Sequence, residues 1–268
     1  MSAKVVTITS GKGGVGKTTA TANLAVALAK TNDKVVSIDA DIGLRNLDVV
    51  MGLENRIVYD LVDVIEGRCK LRQAMIRDKR FENLYLIPAA QTRDKTAVSP
   101  SDMVSLCEEL RGDFDWILVD SPAGIERGFR NAIAPSDLVL VMTNPEVSAV
   151  RDADRIIGLI EAEEKGPGAL VINRVKPEMV KRGDMLSTED IVDVLAIDLI
   201  GIVPEDETVL IASNQGRAAV LDERSKAGHA FTNIAQRLKG AEVPFDELES
   251  RDGFFDRILK FGRAGGDS

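Results

Sequence analysis

Lys4-Val5-Val6-Thr7-Ile8-Thr9-Ser10-Gly11-Lys12-Gly13-Gly14-Val15-Gly16-Lys17-Thr18 passes from an apolar, β-branched run straight into a glycine-rich octet. Residues 11–18 satisfy G-x-x-x-x-G-K-[ST] in full. The octet stands where a phosphate-binding loop has to stand, after a predicted buried strand (Lys4–Ser10) and before a helix rich in Ala and Leu (Thr18–Lys30). Gly11, Gly13, Gly14 and Gly16 are expected to take φ > 0 and to let the backbone approach a phosphate closely. Successive N–H groups then form an anion nest, and the helix N-terminus adds its positive end. The predicted nucleotide-binding residues of the loop are Gly11, Lys12, Gly13, Gly14, Val15, Gly16, Lys17, Thr18 and Thr19. Lys17 is expected to reach the β- and γ-phosphates, and Thr18 Oγ1 to ligate Mg²⁺.

Outward from the loop, short β-branched runs alternate with helical patterns. Further strands are predicted at Lys34–Asp39, Leu84–Pro88, Trp116–Asp120, Leu138–Thr143, Ala169–Asn173 and Leu199–Val203. Helical stretches lie near Ser101–Leu110, Ser148–Glu163, Thr188–Leu195 and Arg224–Leu238. Apolar runs of this length suit strands covered on both faces, and the alternation implies right-handed β-α-β crossovers. The expected fold is α/β: a three-layer P-loop NTPase with a mostly parallel sheet of seven to eight strands and helices on both faces.

Acidic residues fall at the predicted strand ends. Asp39 and Asp41 follow the second strand, and Asp120 closes Trp116-Ile117-Leu118-Val119-Asp120. An apolar strand that ends in Asp beside a phosphate loop is the Walker B arrangement, so Asp39 and Asp120 are candidate metal-site residues with Thr18. For each carboxylate the plainer alternative is an exposed strand-end charge. Gly124, four residues beyond Asp120, is free to swing its N–H toward a γ-phosphate. Lys12 is a second lysine inside the loop. It is either a solvated charge or a lysine offered to a neighbouring subunit's nucleotide, acting there as an arginine finger does.

Composition excludes several classes. Of 268 residues, 44% are hydrophobic, ample for a core, and the formal net charge of −9 argues against a dedicated DNA coat. Aromatics at 4% offer little stacking surface for single-stranded nucleic acid. Cys69 and Cys107 form no metal or cluster spacing, and His229 is the only histidine. The N-terminus enters a strand rather than a signal-peptide core, and no run approaches the length of a membrane span, so the expected location is cytoplasmic.

The loop is also where a resemblance begins. Lys12-Gly13-Gly14-Val15-Gly16-Lys17-Thr18-Thr19 resembles the deviant Walker A signature of the MinD/ParA class of dimerising ATPases. DIGLRNLD (41–48), LIPAAQTRDK (86–95), DSPAGIE (120–126), TNPEVSAVRDADRI (143–156), RGDMLS (182–187) and PEDETVLIASNQG (204–216) are similar to the MinD branch of that family, the site-selection ATPases of bacterial division. The resemblance covers nearly the whole chain. It implies ATP and Mg²⁺ as ligands, Lys12, Lys17 and Asp41 as catalytic residues, and Asp41 as the residue that orients the attacking water. It implies that Asp39 and Asp120 organise Mg²⁺ and its waters, and that Arg45 and Asn46 serve a nucleotide-dependent dimer face. Asn173 and Arg174, after one strand, and Pro204, after the last, are implied to flank the adenine. Arg151, Asp152 and Asp154 begin a helix; they are either cap and surface residues or lie near the dimer face where regulators bind. The implied partners are a second copy of the chain with ATP, a MinC-type division inhibitor, and a MinE-type or other topological regulator.

The C-terminal end carries a different signal. Residues 1–240 read as the ATPase domain, 241–252 as an exposed linker, 253–263 as an amphipathic helix and 264–268 as a disordered tail. At about 100° per residue, Phe254, Phe255, Ile258, Leu259 and Phe261 share one arc, while Asp256, Arg257, Lys260 and Arg263 face away from it. Phe254, Phe255, Arg257, Ile258, Leu259, Lys260 and Phe261 are therefore the predicted membrane contacts, on anionic inner-membrane lipid. Each basic residue near such a surface contributes roughly 1 kcal/mol. The alternative is a terminal helix docked on its own domain. A ParA-like DNA-segregation ATPase shares the loop and Lys12, but calls for a basic C-terminal face; no nucleic-acid partner is expected here. A nucleotide-gated scaffold with negligible turnover on its own is a third possibility.

Overall fold

A strand that is apolar at every position has to be covered on both faces, and the computed structural model, which describes residues 2–165 and 168–246, shows how. β1 (Lys4–Thr9) leads through the octet into α1 (Lys17–Ala29), β2 (Val35–Asp39), α2 (Leu47–Met51), α3 (Leu61–Ile65) and α4 (Leu71–Ala74). β3 (Ile76–Arg77), β4 (Leu84–Ile87), α5 (Pro100–Leu110), β5 (Trp116–Asp120), α6 (Arg127–Ile133) and β6 (Leu138–Thr143) follow. The chain continues through α7 (Val147–Ala162), β7 (Gly168–Val175), α8 (Pro177–Arg182), α9 (Thr188–Leu195), β8 (Asp198–Pro204), α10 (Glu207–Asn214) and α11 (Lys226–Leu238).

The eight strands form one sheet in the order β3-β4-β2-β5-β1-β6-β7-β8. All neighbours are parallel except β3, which runs antiparallel to β4. Alternate residues divide between two cores. Val6, Ile8, Leu118, Leu140 and Val171 face α1 and α11 on one side. Val5, Ile38, Ile117 and Val119 face α5, and Val139, Val141 and Leu170 face α7, on the other. α1 is buried on nearly every side, and its run of alanines lets it lie close between the sheet and α11. Because the strands are parallel, their C-terminal ends share one edge. There β5 sits between β1 and β2, with Asp120 in register with both Ile8 and Asp39.

Several boundaries differ from expectation. β7 runs through Asn173 and Arg174 to Val175, so those two lie within a strand rather than after it. The β7–β8 register shifts between Ile172 and Val175, and Arg174 adopts a left-handed φ of 58°. Pro204 ends β8 rather than following it. α7 starts at Val147, which puts Arg151, Asp152 and Asp154 in its second turn and not at its start. β3, α2, α3, α4, α6, α8 and α10 were not predicted; α10 has no buried residue and so shows no apolar stripe in the sequence.

Of the predicted exposed linker over 241–252, residues 241–246 are described, and all but Val243 are exposed. Residues 241–246 lack regular structure but are tied to α11. Arg237 donates to Val243 O at 3.0 Å and to Pro244 O at 2.8 Å, and its guanidinium lies 4.1 Å from the Phe245 ring centre. Asp246 accepts from Asn233 Nδ2 at 3.1 Å and lies 3.2 Å from His229 Nδ1. The predicted helix 253–263 and tail 264–268 lie outside the described residues. Among the described residues no helix is long and apolar enough to cross a membrane.

Gly228 gives a direct test of this packing. It lies in α11, where Ala is normally preferred to Gly by about 1 kcal/mol. A Cβ there would come within 2.6 Å of Ala219 O and 2.9 Å of its carbonyl carbon. Gly228→Ala is therefore expected to destabilise the fold by about 1–3 kcal/mol, the opposite of the helical preference, measured as a lower urea midpoint.

Candidate functional site

The octet curls over the C-terminal end of β1. Gly14 and Gly16 have left-handed φ values of 79° and 106°, as expected of the loop. Gly11 and Gly13 do not, which corrects the prediction for those two. Gly11 is needed for another reason: a Cβ would meet Asp152 O of α7 at 2.4 Å. For Gly13 the nearest atom to such a Cβ is Ala123 Cβ at 3.9 Å, so packing alone does not demand glycine. Asn173 closes the loop from above. Its Nδ2 donates to the buried Val15's carbonyl at 2.7 Å and would lie 2.5 Å from a Cβ on Gly16.

The two loop lysines are sorted to opposite sides. Lys17 is buried, and its Nζ donates to Ser10 Oγ at 3.0 Å. Burial lowers its pKa, opposed by the charges of Asp120 and Asp41. Lys12 instead points outward, with Nζ 3.5 Å from Glu146 Oε2 and about half of its side chain exposed. An exposed pair of this kind is weak, so Lys12 is held only loosely.

Asp39 and Asp120 are each 1% exposed and stand side by side at the ends of β2 and β5. Asp39 accepts from the backbone N–H groups of Asp41 at 3.0 Å and of Asn46 and Leu47 at 3.1 Å. Burial still pushes its carboxyl above the usual range. Asp120 accepts from Thr21 Oγ1 at 3.4 Å and from the Thr18 side chain; burial first, and then the charge of Asp39, push it up as well. Thr18, Asp39 and Asp120 present only hard oxygen donors, and a dry carboxylate pair calls for a cation. These residues fit Mg²⁺, which takes one or two carboxylates and completes its shell with water and phosphate.

The adjoining segments place the remaining candidates. Asp41 acts on Lys17 through its charge, and its carbonyl accepts from Leu44 and Arg45 N–H at 3.1 and 3.2 Å. Asn46 is exposed, whereas Arg45 turns inward to the fully buried Asp48, with Nε 3.2 Å from Oδ2. The Gly124 N–H, expected to be free to swing, is bonded to Ser10 O at 3.2 Å, so it has to exchange partners to reach a phosphate. Asp152 pairs with Arg155 at 3.5 Å while its backbone packs on Gly11.

Beyond Gly16 and Thr19 opens a cavity of about 220 Å³ walled by Arg174, Pro204, Val209 and Leu210. Arg174 Nε reaches 3.9 Å from Glu205 Oε2 across it. Val209 and Leu210 belong to α10, which the sequence reading missed. Its available signal was Asp206-x-Thr208, since Asp206 caps the helix by accepting from Thr208 N at 2.9 Å. Asp206 also accepts from Ser225 Oγ at 2.8 Å and Ala227 N at 3.0 Å, joining α10 to α11. Burial pushes the Asp206 carboxyl up, but these hydrogen bonds outweigh it and hold it below the usual range.

A depressed carboxylate contributes stability above its unfolded pKa, about 3.9, and loses it as pH falls through the folded value. Asp206→Ala should therefore cost about 1 kcal/mol at neutral pH. Urea titrations are expected to show the gap to the parent chain shrinking below about pH 4.

Comparison with known proteins agrees with this geometry. The CobQ/CobB/MinD/ParA nucleotide binding domain family matches residues 6–220. The septum site-determining protein MinD of Bacillus subtilis (strain 168) is 53% identical over 261 residues, covering 96% of this chain and 97% of that protein. The MinC:MinD cell division protein complex of Aquifex aeolicus contains a chain 51% identical, with a TM-score of 0.85, covering 91% of this chain and 99% of that one. MinD of Pyrococcus horikoshii OT3, solved with Mg-ADP, is 30% identical with a TM-score of 0.79, covering 90% of this chain and 100% of that one. The chain belongs to the CobQ/CobB/MinD/ParA nucleotide-binding family, in which it groups with the septum site-determining MinD proteins as a P-loop ATPase.

Proposed function

We propose that ATP and Mg²⁺ bring two copies of this chain face to face, and that the dimer holds a division inhibitor at the membrane and so positions the division site. The observation that carries this reading is the sorting of the two lysines. Lys17 is buried inside its own loop, and Lys12 is held outside it by a weak contact to Glu146. A lysine at that position serves a nucleotide that approaches from outside the subunit.

In this reading Lys17 and the loop N–H groups bind the phosphates. The adenine enters the cavity beside Asn173, Arg174 and Pro204. Thr18 and Asp120 would hold Mg²⁺, with Asp39 ordering its waters, and the ion would offset phosphate charge. Gly124 releases Ser10 O and donates to the γ-phosphate. Asp41 orients the water whose oxygen attacks γ-phosphorus as the bond to the bridging oxygen breaks, giving ADP and phosphate. Lys12 of the partner subunit offsets the developing charge. Arg45 joins the dimer face by leaving Asp48, and Asn46 and Asp152 lie on the same side.

The A. aeolicus MinC:MinD complex supports a MinC-type inhibitor as cargo. The family resemblance supports a MinE-type or other regulator. The amphipathic pattern of 253–263 supports a peripheral, ATP-dependent association with anionic lipid on the cytoplasmic face of the inner membrane. A single short helix binds weakly, and a dimer presents two, so dimerisation sets membrane affinity by avidity.

Two measurements test this. Asp41→Ala, saturated with ATP and Mg²⁺, is expected to elute from size exclusion as a persistent dimer, and Asp41→Ala/Lys12→Ala as a monomer. A monomeric Asp41→Ala chain would count against nucleotide-gated pairing. In sedimentation with anionic vesicles, Ile258→Glu in the full chain should lose at least about 10-fold in ATP-dependent binding while keeping its ATPase fold and dimer. Equal binding of this variant and the parent would remove the membrane assignment.

A further inference from the structure

Gly52 and Gly216 meet backbone to backbone. A Cβ on Gly52 would lie 2.7 Å from Gly216 O, and one on Gly216 would lie 2.6 Å from Gly52 Cα. Both adopt left-handed φ, 69° and 60°. One side chain bolts the contact. Arg80 Nη2 donates to Met51 O at 2.9 Å, and Arg80 Nη1 donates to Gly216 O at 3.2 Å. Asp78, 4% exposed, holds that guanidinium, accepting from Nη2 at 3.0 Å and Nε at 3.3 Å. Lys79 Nζ adds a hydrogen bond to Gly52 O at 3.0 Å.

The two glycines end two helices that flank the nucleotide site from different sides. Gly52 terminates α2, whose first N–H, that of Leu47, is held by Asp39 together with that of Asn46. Gly216 lies just past α10, whose Val209, Leu210 and Ser213 wall the base cavity. α2 is five residues long, about 7.5 Å, too short to bend. A shift of α10 around a bound base therefore passes through Gly216, Gly52 and α2 to the segment that carries Asp39 and Asp41.

We propose that Arg80 is a positioning residue that couples occupancy of the base cavity to the Asp39–Asn46 segment, so that the base, and not the triphosphate alone, sets the chain for hydrolysis. This rests on the reading that the cavity takes adenine. The planar fork of arginine suits the task because it spans two carbonyls at once, which a lysine ammonium on one stem does not.

The test uses the full chain at saturating nucleotide, with kcat and KM measured for ATP and for GTP. The parent chain is expected to turn over ATP about 10-fold or more faster than GTP. Arg80→Ala is expected to lower kcat for ATP about 10-fold, with KM for ATP changed less than about 3-fold and kcat for GTP within about 2-fold of the parent. The ATP/GTP ratio then collapses, which a general loss of stability would not produce. Arg80→Lys cuts the same link more gently, and Gly216→Ala, whose Cβ would strike Gly52 Cα, cuts it from the opposite side. They are expected to narrow the ratio in the same direction, and they carry the test if Arg80→Ala does not fold. A parent that discriminates, with variants that discriminate equally well, overturns the coupling alone. A parent that turns over ATP and GTP equally overturns the base-cavity reading and the coupling with it.

Discussion

Two carboxylates held nearly dry at adjacent strand ends set the terms for the rest of this molecule. Asp39 and Asp120 are register partners across β2 and β5, and burial raises both. Such a pair persists only with strong local support. Asp39 has three backbone N–H donors from the segment that follows it, and Asp120 has threonine hydroxyls and the nearby charge of Lys17. The consequence is structural. The segment 41–47 is folded around Asp39, α1 is fixed against Asp120, and the pair is left fit for a divalent cation. A bound divalent cation would offset the charge of this pair and of the phosphates beside it.

The second organising feature is the division of labour between two lysines five residues apart. Lys17 faces inward at the start of α1, where burial penalises its charge and the charges of Asp120 and Asp41 oppose that only in part. Lys12 sits on the outer rim with Glu146 at the N-terminus of α7. Gly11 allows α7 to approach that rim, since any side chain there would strike Asp152. The loop thus belongs to two surfaces at once, the phosphate cradle and the face that the proposed partner subunit covers.

What could be read from the sequence was mostly local. Val5–Thr9, Trp116–Asp120 and Leu138–Thr143 announce themselves because strands covered on both faces are apolar at successive positions. Gly14, Gly16, Lys17 and Thr18 are contiguous, so one motif captures them. Asp39 and Asp120 needed only the rule that strand ends beside such a loop carry the acidic groups. The missed features depend on contacts far apart in the chain. Gly11 is fixed by Asp152, and Gly52 by Gly216, with Arg80 reaching both Met51 and Gly216. β3 is two residues long and α10 buries none, so neither shows a periodicity. Arg45, which the resemblance implies for a dimer face, turns here to Asp48, whose burial no local pattern reveals.

The central claim is that Lys12 acts on the nucleotide of the partner subunit, and mixing two inactive variants tests it most directly. Lys12→Ala lacks the crossing lysine, and Asp41→Ala lacks the residue that orients water. In a mixed dimer one site regains both, its own Asp41 and the partner's Lys12. Mixed before ATP is added, so that neither variant is already paired with itself, the two preparations are expected to recover up to about a quarter of the parent ATPase rate although each is inactive alone. A mixture as inactive as its components would show that Lys12 serves its own loop, and would contradict the account.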